Sequence, residues 1–170
     1  MEEERLVCCF TGHRPEKLPW GGDEADPRCV RLKTELRCTV EGAYLAGCRH
    51  FICGMARGCD MYFAEAVLAL RAEKDDVTLE AAVPCDTQAD SWRADERRRY
   101  EHILAECDEV SFVAHAYSPG CMQRRNRYMV ERSEVLIAVY NGTAGGTMST
   151  ILLARRAGLR VITIDLNDFV

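Results

Sequence analysis

The sequence has no apolar run approaching the ~20 residues a membrane-spanning helix needs. Nor does it have an excess of basic charge: 22 Lys and Arg stand against 27 Asp and Glu, a net −5. A helical membrane span is thereby excluded, and so is any global attraction for nucleic acid or an anionic lipid surface. A basic site would have to be local. Proline is scarce at 5, and glycine numbers 12 in 170 residues, which excludes collagen-like and low-complexity disordered chains. The 10 cysteines contain no Cys-x-x-Cys pair, and Cys53 and Cys59 are too isolated to form a zinc knuckle. Neither a metal nor a cofactor is implied. The start, Met1-Glu2-Glu3-Glu4-Arg5, is acidic where a secretion signal is basic, so a cytoplasmic location with reduced cysteines is expected.

What is present is a globular composition, 48% hydrophobic and 29% charged, at a length suited to one domain spanning 1–170. Six short apolar runs recur: Leu6–Phe10, His50–Cys53, Val77–Val83, Val110–Ala114, Val135–Tyr140 and Val161–Ile164. Most are near-continuous, the pattern of strands buried on both faces. Between them lie helical spacings. Val30, Leu32, Leu36, Val40, Tyr44 and Leu45 form a stripe closed by Gly47, and Phe63, Val67, Leu68 and Leu70 form a second. Further helices are expected around Ala94–Glu106, Met122–Arg132 and Met148–Ala157. Alternating strands and helices imply an α/β fold: a Rossmann-like, mostly parallel sheet of about six strands with helices on both faces. The first strand is expected to be central, flanked by the second and fifth.

Ligands of such sheets bind beyond the carboxyl ends of the strands, and three glycine turns fall there. Thr11-Gly12-His13-Arg14 follows strand one, where Gly12 would allow close approach. Arg14 suits bidentate phosphate contact, while His13 is either an acid–base group or a positioning one. Gly54-x-x-x-Gly58-x-Asp60 follows strand two; Gly58 would permit a positive φ, and Asp60 is a helix N-cap or a ligand contact. Asn141-Gly142-Thr143-Ala144-Gly145-Gly146-Thr147 follows strand five. There Gly145, Gly146 and Thr147 open a helix with free N–H groups, which makes either a phosphate seat or a plain tight turn. Arg125, Asn126 and Arg127 begin near the same edge, whereas Arg97–Arg99 read as a solvated face. Tyr117 and Trp92 are candidates to stack on a base or to pack as a lid.

The ordered set Thr11-Gly12-His13-Arg14-Pro15, Cys53 to Asp60, Arg125 to Val130 and Leu136 to Thr147 resembles the YpsA-like branch of the SLOG superfamily over essentially the whole chain. That superfamily includes the DNA-processing protein A group and the Lonely-guy phosphoribohydrolases. The resemblance implies a Rossmann-like fold holding a nucleotide or nucleotide-derived ligand over the glycine loops, and a link to bacterial cell-division control. Arg125-Asn126-Arg127-Tyr128-Met129 matches the phosphoribohydrolases' Arg-Lys-x-x-Met with Asn in place of Lys. The glutamate those enzymes carry after the glycine loop is absent from Gly146–Ile151. A carboxylate normally assists N-glycosidic cleavage, so Asp60, Asp86 or Asp90 would have to stand in.

Three functions follow as expectations. The first is binding or sensing of a phosphorylated nucleoside, adenosine- or NAD-derived. In this reading Gly12, His13, Arg14, Gly54, Gly58, Asp60, Tyr117, Arg125, Asn126, Gly142, Gly145, Gly146 and Thr147 form the site. The second is a nucleotide N-glycosidase with Asp60 or His13 as its acid–base group. The third is a protein-interaction module. The negative charge argues against nucleic acid as partner, and a homo-oligomer is expected.

Overall fold

The computed structural model describes residues 5–170; Met1–Glu4 of the acidic start lie outside the described residues. Strands β1 (Leu6–Gly12), β2 (Cys48–Cys53), β3 (Thr78–Val83), β4 (Glu109–Phe112), β5 (Val135–Tyr140) and β6 (Arg160–Asp165) alternate with helices α1 (Pro27–Leu45), α2 (Cys59–Glu73), α3 (Ala94–Glu106), α4 (Cys121–Glu131) and α5 (Gly146–Arg156). Short 3-10 turns lie at Pro15–Lys17 and Leu166–Phe169. Every strand pairing is parallel, and the order is β4-β3-β2-β1-β5-β6. The sheet is thus wholly parallel, with β1 between β2 and β5.

The near-continuous apolar runs are explained by two cores. Cys8, Phe10, Phe51, Cys53, Leu79 and Ile137 pack with Leu32 and Leu36 of α1, Phe63 and Val67 of α2 and Ile103 of α3. Their neighbours Cys9, Ile52, Ala82, Leu136 and Ala138 face Met129 and Val130 of α4 and Ile151 and Ala154 of α5. Alternate residues therefore enter opposite cores, and both must be apolar. The rings of Phe10 and Phe63 stack at 4.6 Å and fix α2 against β1. The cysteines of these strands act as small hydrophobes; burial pushes the Cys9 thiol up to about 12. No helix among the described residues is long and apolar enough to cross a membrane.

Two departures are informative. In α1 the buried stripe is Cys29, Leu32, Leu36, Val40 and Ala43, while Val30 and Leu45 are exposed. The 3-4-4-3 spacing of the buried residues follows the helical period, and Val30 and Leu45 fall off that face. In β3, Glu80 is buried on the α4 face. Burial works to raise its carboxyl, but hydrogen bonds from His50, Tyr128 and Ser111 prevail and hold it at about 2.

Glycine substitutions separate packing from propensity. A Cβ on Gly12 would lie 2.6 Å from Cys59 Cβ and 2.9 Å from the Phe10 ring, whereas one on Gly42, in α1, meets nothing within 4 Å. Gly12→Ala should cost about 1–3 kcal/mol, and Gly42→Ala should add about 0.5–1 kcal/mol. Urea unfolding of the two variants measures both signs.

Candidate functional site

The strand order reverses between β1 and β5: the chain runs outward from β1 to β4 on one side, then returns to β5 and β6 on the other. Loops leaving β1 and β5 must therefore diverge, which opens a crevice at their carboxyl ends. A cavity of about 380 Å³ lies there. It is lined by Thr11 and Gly12 at the end of β1, by His13 and Arg14 just beyond it, by Lys17, by Ala56 and Asp60 after β2, and by Gly146 and Thr147 at the start of α5. Met122, Arg125, Asn126 and Met129 of α4 close it from the other face of the sheet.

The loop after β5 leads into α5 through Gly145 (φ 149°). The first capped amide is that of Ser149, which donates to the Gly145 carbonyl at 3.0 Å. Gly146, Thr147 and Met148 precede that bond, so their N–H groups are the free donors of the helix terminus. Nothing lies within 4 Å of a Cβ built on Gly146, so the approach to these donors is open. Lys17 reaches across from the turn after β1, and its Nζ donates to the Ala144 carbonyl at 2.9 Å. A cation is thus held beside the glycine loop.

The loop after β2 is strained. Met55 is fully buried with φ 61°, a left-handed conformation for a non-glycine residue. On either side, the Gly54 carbonyl accepts from Arg125 Nη1, and the Ala56 N–H donates to Asp60 Oδ2 at 2.9 Å. Arg125 also donates from Nε to Asn126 Oδ1 at 2.8 Å, and it forms no ion pair among the described residues. Burial pushes its guanidinium pKa down, opposed chiefly by the Asp60 charge. Burial pushes the Asp60 carboxyl up, opposed chiefly by Arg125. The two face one cavity without touching.

The fold brings Gly12, His13, Arg14, Asp60, Arg125, Asn126, Gly146 and Thr147 to this cavity. Gly54 and Gly58 stand behind it. A Cβ on Gly54 would meet the Arg125 guanidinium at 2.7 Å, and Gly58 (φ 83°) turns beneath the His13 carbonyl. Gly145 adjoins it through Lys17. Gly142 and Tyr117 do not line it. Tyr117 is exposed and borders a neighbouring cavity of about 720 Å³, which shares Arg14 and Met122 with the first. Trp92 packs edge-on against Tyr100 at 5.2 Å, and Arg127, Asp86 and Asp90 are exposed away from the cavity.

Asp60 is not the helix N-cap: Gly58 occupies that position, and Asp60 lies one residue inside α2 with its carboxylate turned back to the loop. Sequence reasoning missed Lys17, Ala56, Met122 and Met129. Only the fold carries Lys17 to a loop 127 residues away.

Comparison with known proteins agrees with this architecture. The YpsA family model, described as the YspA SLOG family, matches residues 8–157. A UPF0398 protein of Bacillus anthracis is 30% identical over 155 residues, covering 88% of this chain and 82% of its own. The SPbeta prophage-derived protein YoqJ of Bacillus subtilis is 29% identical over 147 residues, covering 79% and 86%. Among solved structures, DNA processing protein A of Helicobacter pylori superposes with a TM-score of 0.62 at 15% identity, over 96% of this chain and 70% of that one. Its Streptococcus pneumoniae counterpart gives 0.61 at 14%, over 94% of this chain but only 50% of that one. At such identities the likeness is one of fold. The Helicobacter structure is described by its single-stranded DNA binding mode.

His13 gives the site a pH signature. Its Nε2 accepts the Asn141 N–H at 3.2 Å, and burial, reinforced by the Lys17 charge, lowers its pKa from 6.5. The neutral ring is the folded form, so its stabilisation is complete above pH 6.5 and is lost as pH falls through the lowered value. His13→Gln retains an acceptor and does not titrate. The unfolding free energy of the wild type should fall relative to His13→Gln between about pH 7.5 and about pH 5, as measured by urea titration.

Proposed function

The chain belongs to the YspA SLOG family, and from that membership we propose that it binds or senses a phosphorylated nucleoside or nucleotide-derived ligand in the cleft between β1 and β5. The observation that carries the reading is the convergence of three cations, Arg14, Lys17 and Arg125, with the open N-terminus of α5 around one cavity. The dipole and free amides of α5 favour a phosphate at Gly146 and Thr147. Arg125, fixed by Gly54 and Asn126, supplies a pre-oriented positive charge with no side-chain ordering left to lose. Arg14 is exposed at the junction of the two cavities and extends the cationic lining outward. At about 380 Å³ the inner cavity falls in the range of small-ligand sites. Tyr117 and Trp92, bordering the outer cavity, are the aromatic surfaces open to a base.

A second reading, hydrolysis of the N-glycosidic bond, is favoured by one observation: Asp60 is a buried carboxyl with a raised pKa that lines the cleft. A protonated Asp60 is suited to donate to a departing base. If the protein is an enzyme, free base appears when it is incubated with a bound nucleotide, and Asp60→Asn abolishes the release.

The binding reading is tested by thermal shift against AMP, ADP-ribose, NAD, cyclic ADP-ribose and guanosine counterparts, with a single-stranded oligonucleotide as a further arm. A ligand at about 100 times its Kd should stabilise by roughly 2.7 kcal/mol, a rise on the order of 5–10 °C. Gly146→Asp should keep the fold, since an acidic residue suits a helix N-terminus, yet lose that rise because its carboxylate meets the phosphate. A flat panel with folded protein, or an undiminished shift in Gly146→Asp, overturns the reading. A response to the oligonucleotide alone replaces it with nucleic-acid binding.

A further inference from the structure

Away from the glycine loops, toward the amino ends of the strands, three side chains converge on the sheet face beneath α4: His50 of β2, Glu80 of β3 and Glu109 of β4. One potential ligand atom from each lies within 4.8 Å of the other two. Glu80 and Glu109 are direct partners in the parallel register, so their carboxyls share a face. Like charges directly opposite across strands destabilise a sheet. The Glu109 side chain makes no ion pair or hydrogen bond among the described residues, and the only side chain there that can pair with Glu80 as a cation is His50.

The outer atoms of the cluster are already engaged. His50 Nδ1 is held by Thr78 Oγ1 at 2.7 Å, while Glu80 Oε2 accepts from Tyr128 at 2.6 Å and from Ser111 at 2.9 Å. The remaining atoms, His50 Nε2 and Glu80 Oε1, are hydrogen-bonded to each other at 2.8 Å beside Glu109, so an ion seated there would take the place of the proton between them. Hydrogen bonds that fix the far side of an imidazole and of a carboxylate are the outer shell that orients metal ligands. His50 is half-buried and Glu109 exposed, so the cluster is open to solvent on one side.

We propose that His50, Glu80 and Glu109 form a binding site for a first-row divalent transition ion, one imidazole nitrogen and two carboxylate oxygens completing its coordination with water. The mixed nitrogen and oxygen set suits Zn²⁺ or Co²⁺ better than Mg²⁺ or Ca²⁺, which prefer all-oxygen shells. The ion would neutralise the facing carboxylates and pin the short edge strand β4 to β2 and β3. Its effect is on stability, separate from the nucleotide cleft.

The test uses the full chain after treatment with a chelator, titrated with Zn²⁺ and separately with Co²⁺ under reducing conditions. Saturating Zn²⁺ should raise the melting temperature by roughly 5–10 °C, and Co²⁺ should give d–d absorption without a thiolate charge-transfer band. Glu109→Gln should abolish the Zn²⁺ shift while leaving the metal-free melting temperature unchanged or higher, because it removes the facing like charge. His50→Gln should also abolish it. No shift with either ion, a shift undiminished in Glu109→Gln, or a thiolate band marking cysteine coordination would each overturn the proposal.

Discussion

The buried guanidinium of Arg125 is the constraint on which the cleft depends. A charge removed from water is costly unless its donors are met, and Arg125 meets them through Gly54, Asn126 and a long contact to Met122 Sδ at 3.9 Å. The Gly54 carbonyl can be reached only because Gly54 lacks a Cβ. Presenting that carbonyl to α4 goes together with the left-handed turn at Met55, after which the Ala56 amide meets Asp60. One long-range hydrogen bond thus joins α4 to the β2 loop and sits beside a strained residue. The strain persists because Met55 is buried, its carbonyl accepts from Gln88 at 3.0 Å and its amide is held near Cys53 Sγ.

That arrangement also explains how far the sequence could be read. The six runs, the three glycine turns and the central place of β1 are legible because they depend on local properties: apolar continuity, freedom at positive φ and the crossover rule. Arg125 could be placed near the ligand edge, but not recognised as a framework residue. Its partner Gly54 is 71 residues away, and no spacing rule connects them. The same holds for Lys17, which lies in a short 3-10 turn with no pattern of its own and acquires meaning only when β1 and β5 become neighbours. Of the two roles the sequence left open for Asp60, the N-cap is not taken, for a local reason. Gly58 with φ 83° already turns the chain into α2, which frees the carboxylate to serve the loop behind it. In α1, apolarity alone misled: Val30 and Leu45 are apolar, but they lie off the helical face formed by Cys29, Leu32, Leu36, Val40 and Ala43.

The two polar clusters of the sheet illustrate opposite uses of buried charge. At the carboxyl edge, Asp60 and Arg125 are opposite in sign, close enough to shift each other, and line one cavity without forming an ion pair. Such a pair is a ready field for a polar ligand, because donors and acceptors are held in place before anything binds. On the α4 face, Glu80 is satisfied by three donors and faces a like charge instead. One cluster sets opposite charges around a cavity, while the other draws an imidazole and two carboxylates together. The parallel register determines the second arrangement, and the order reversal determines the first.

Whether the cleft binds or cleaves turns on Asp60. Cleavage of an N-glycosidic bond develops positive charge on the sugar, which a carboxylate anion stabilises, while the departing base needs a proton. Asp60 is the one buried carboxyl among the described residues that line the cleft, and it cannot fill both roles at once. His13 cannot readily take the second role through Nε2, because that nitrogen already accepts the Asn141 amide and the ring is held neutral. The other acidic residue of the lining, Glu16, is exposed and committed to Arg57. Arg14, Lys17, Arg125 and the free amides of α5 thus face a single buried carboxyl across the lining, which is the physical ground for placing the binding reading ahead of the hydrolytic one.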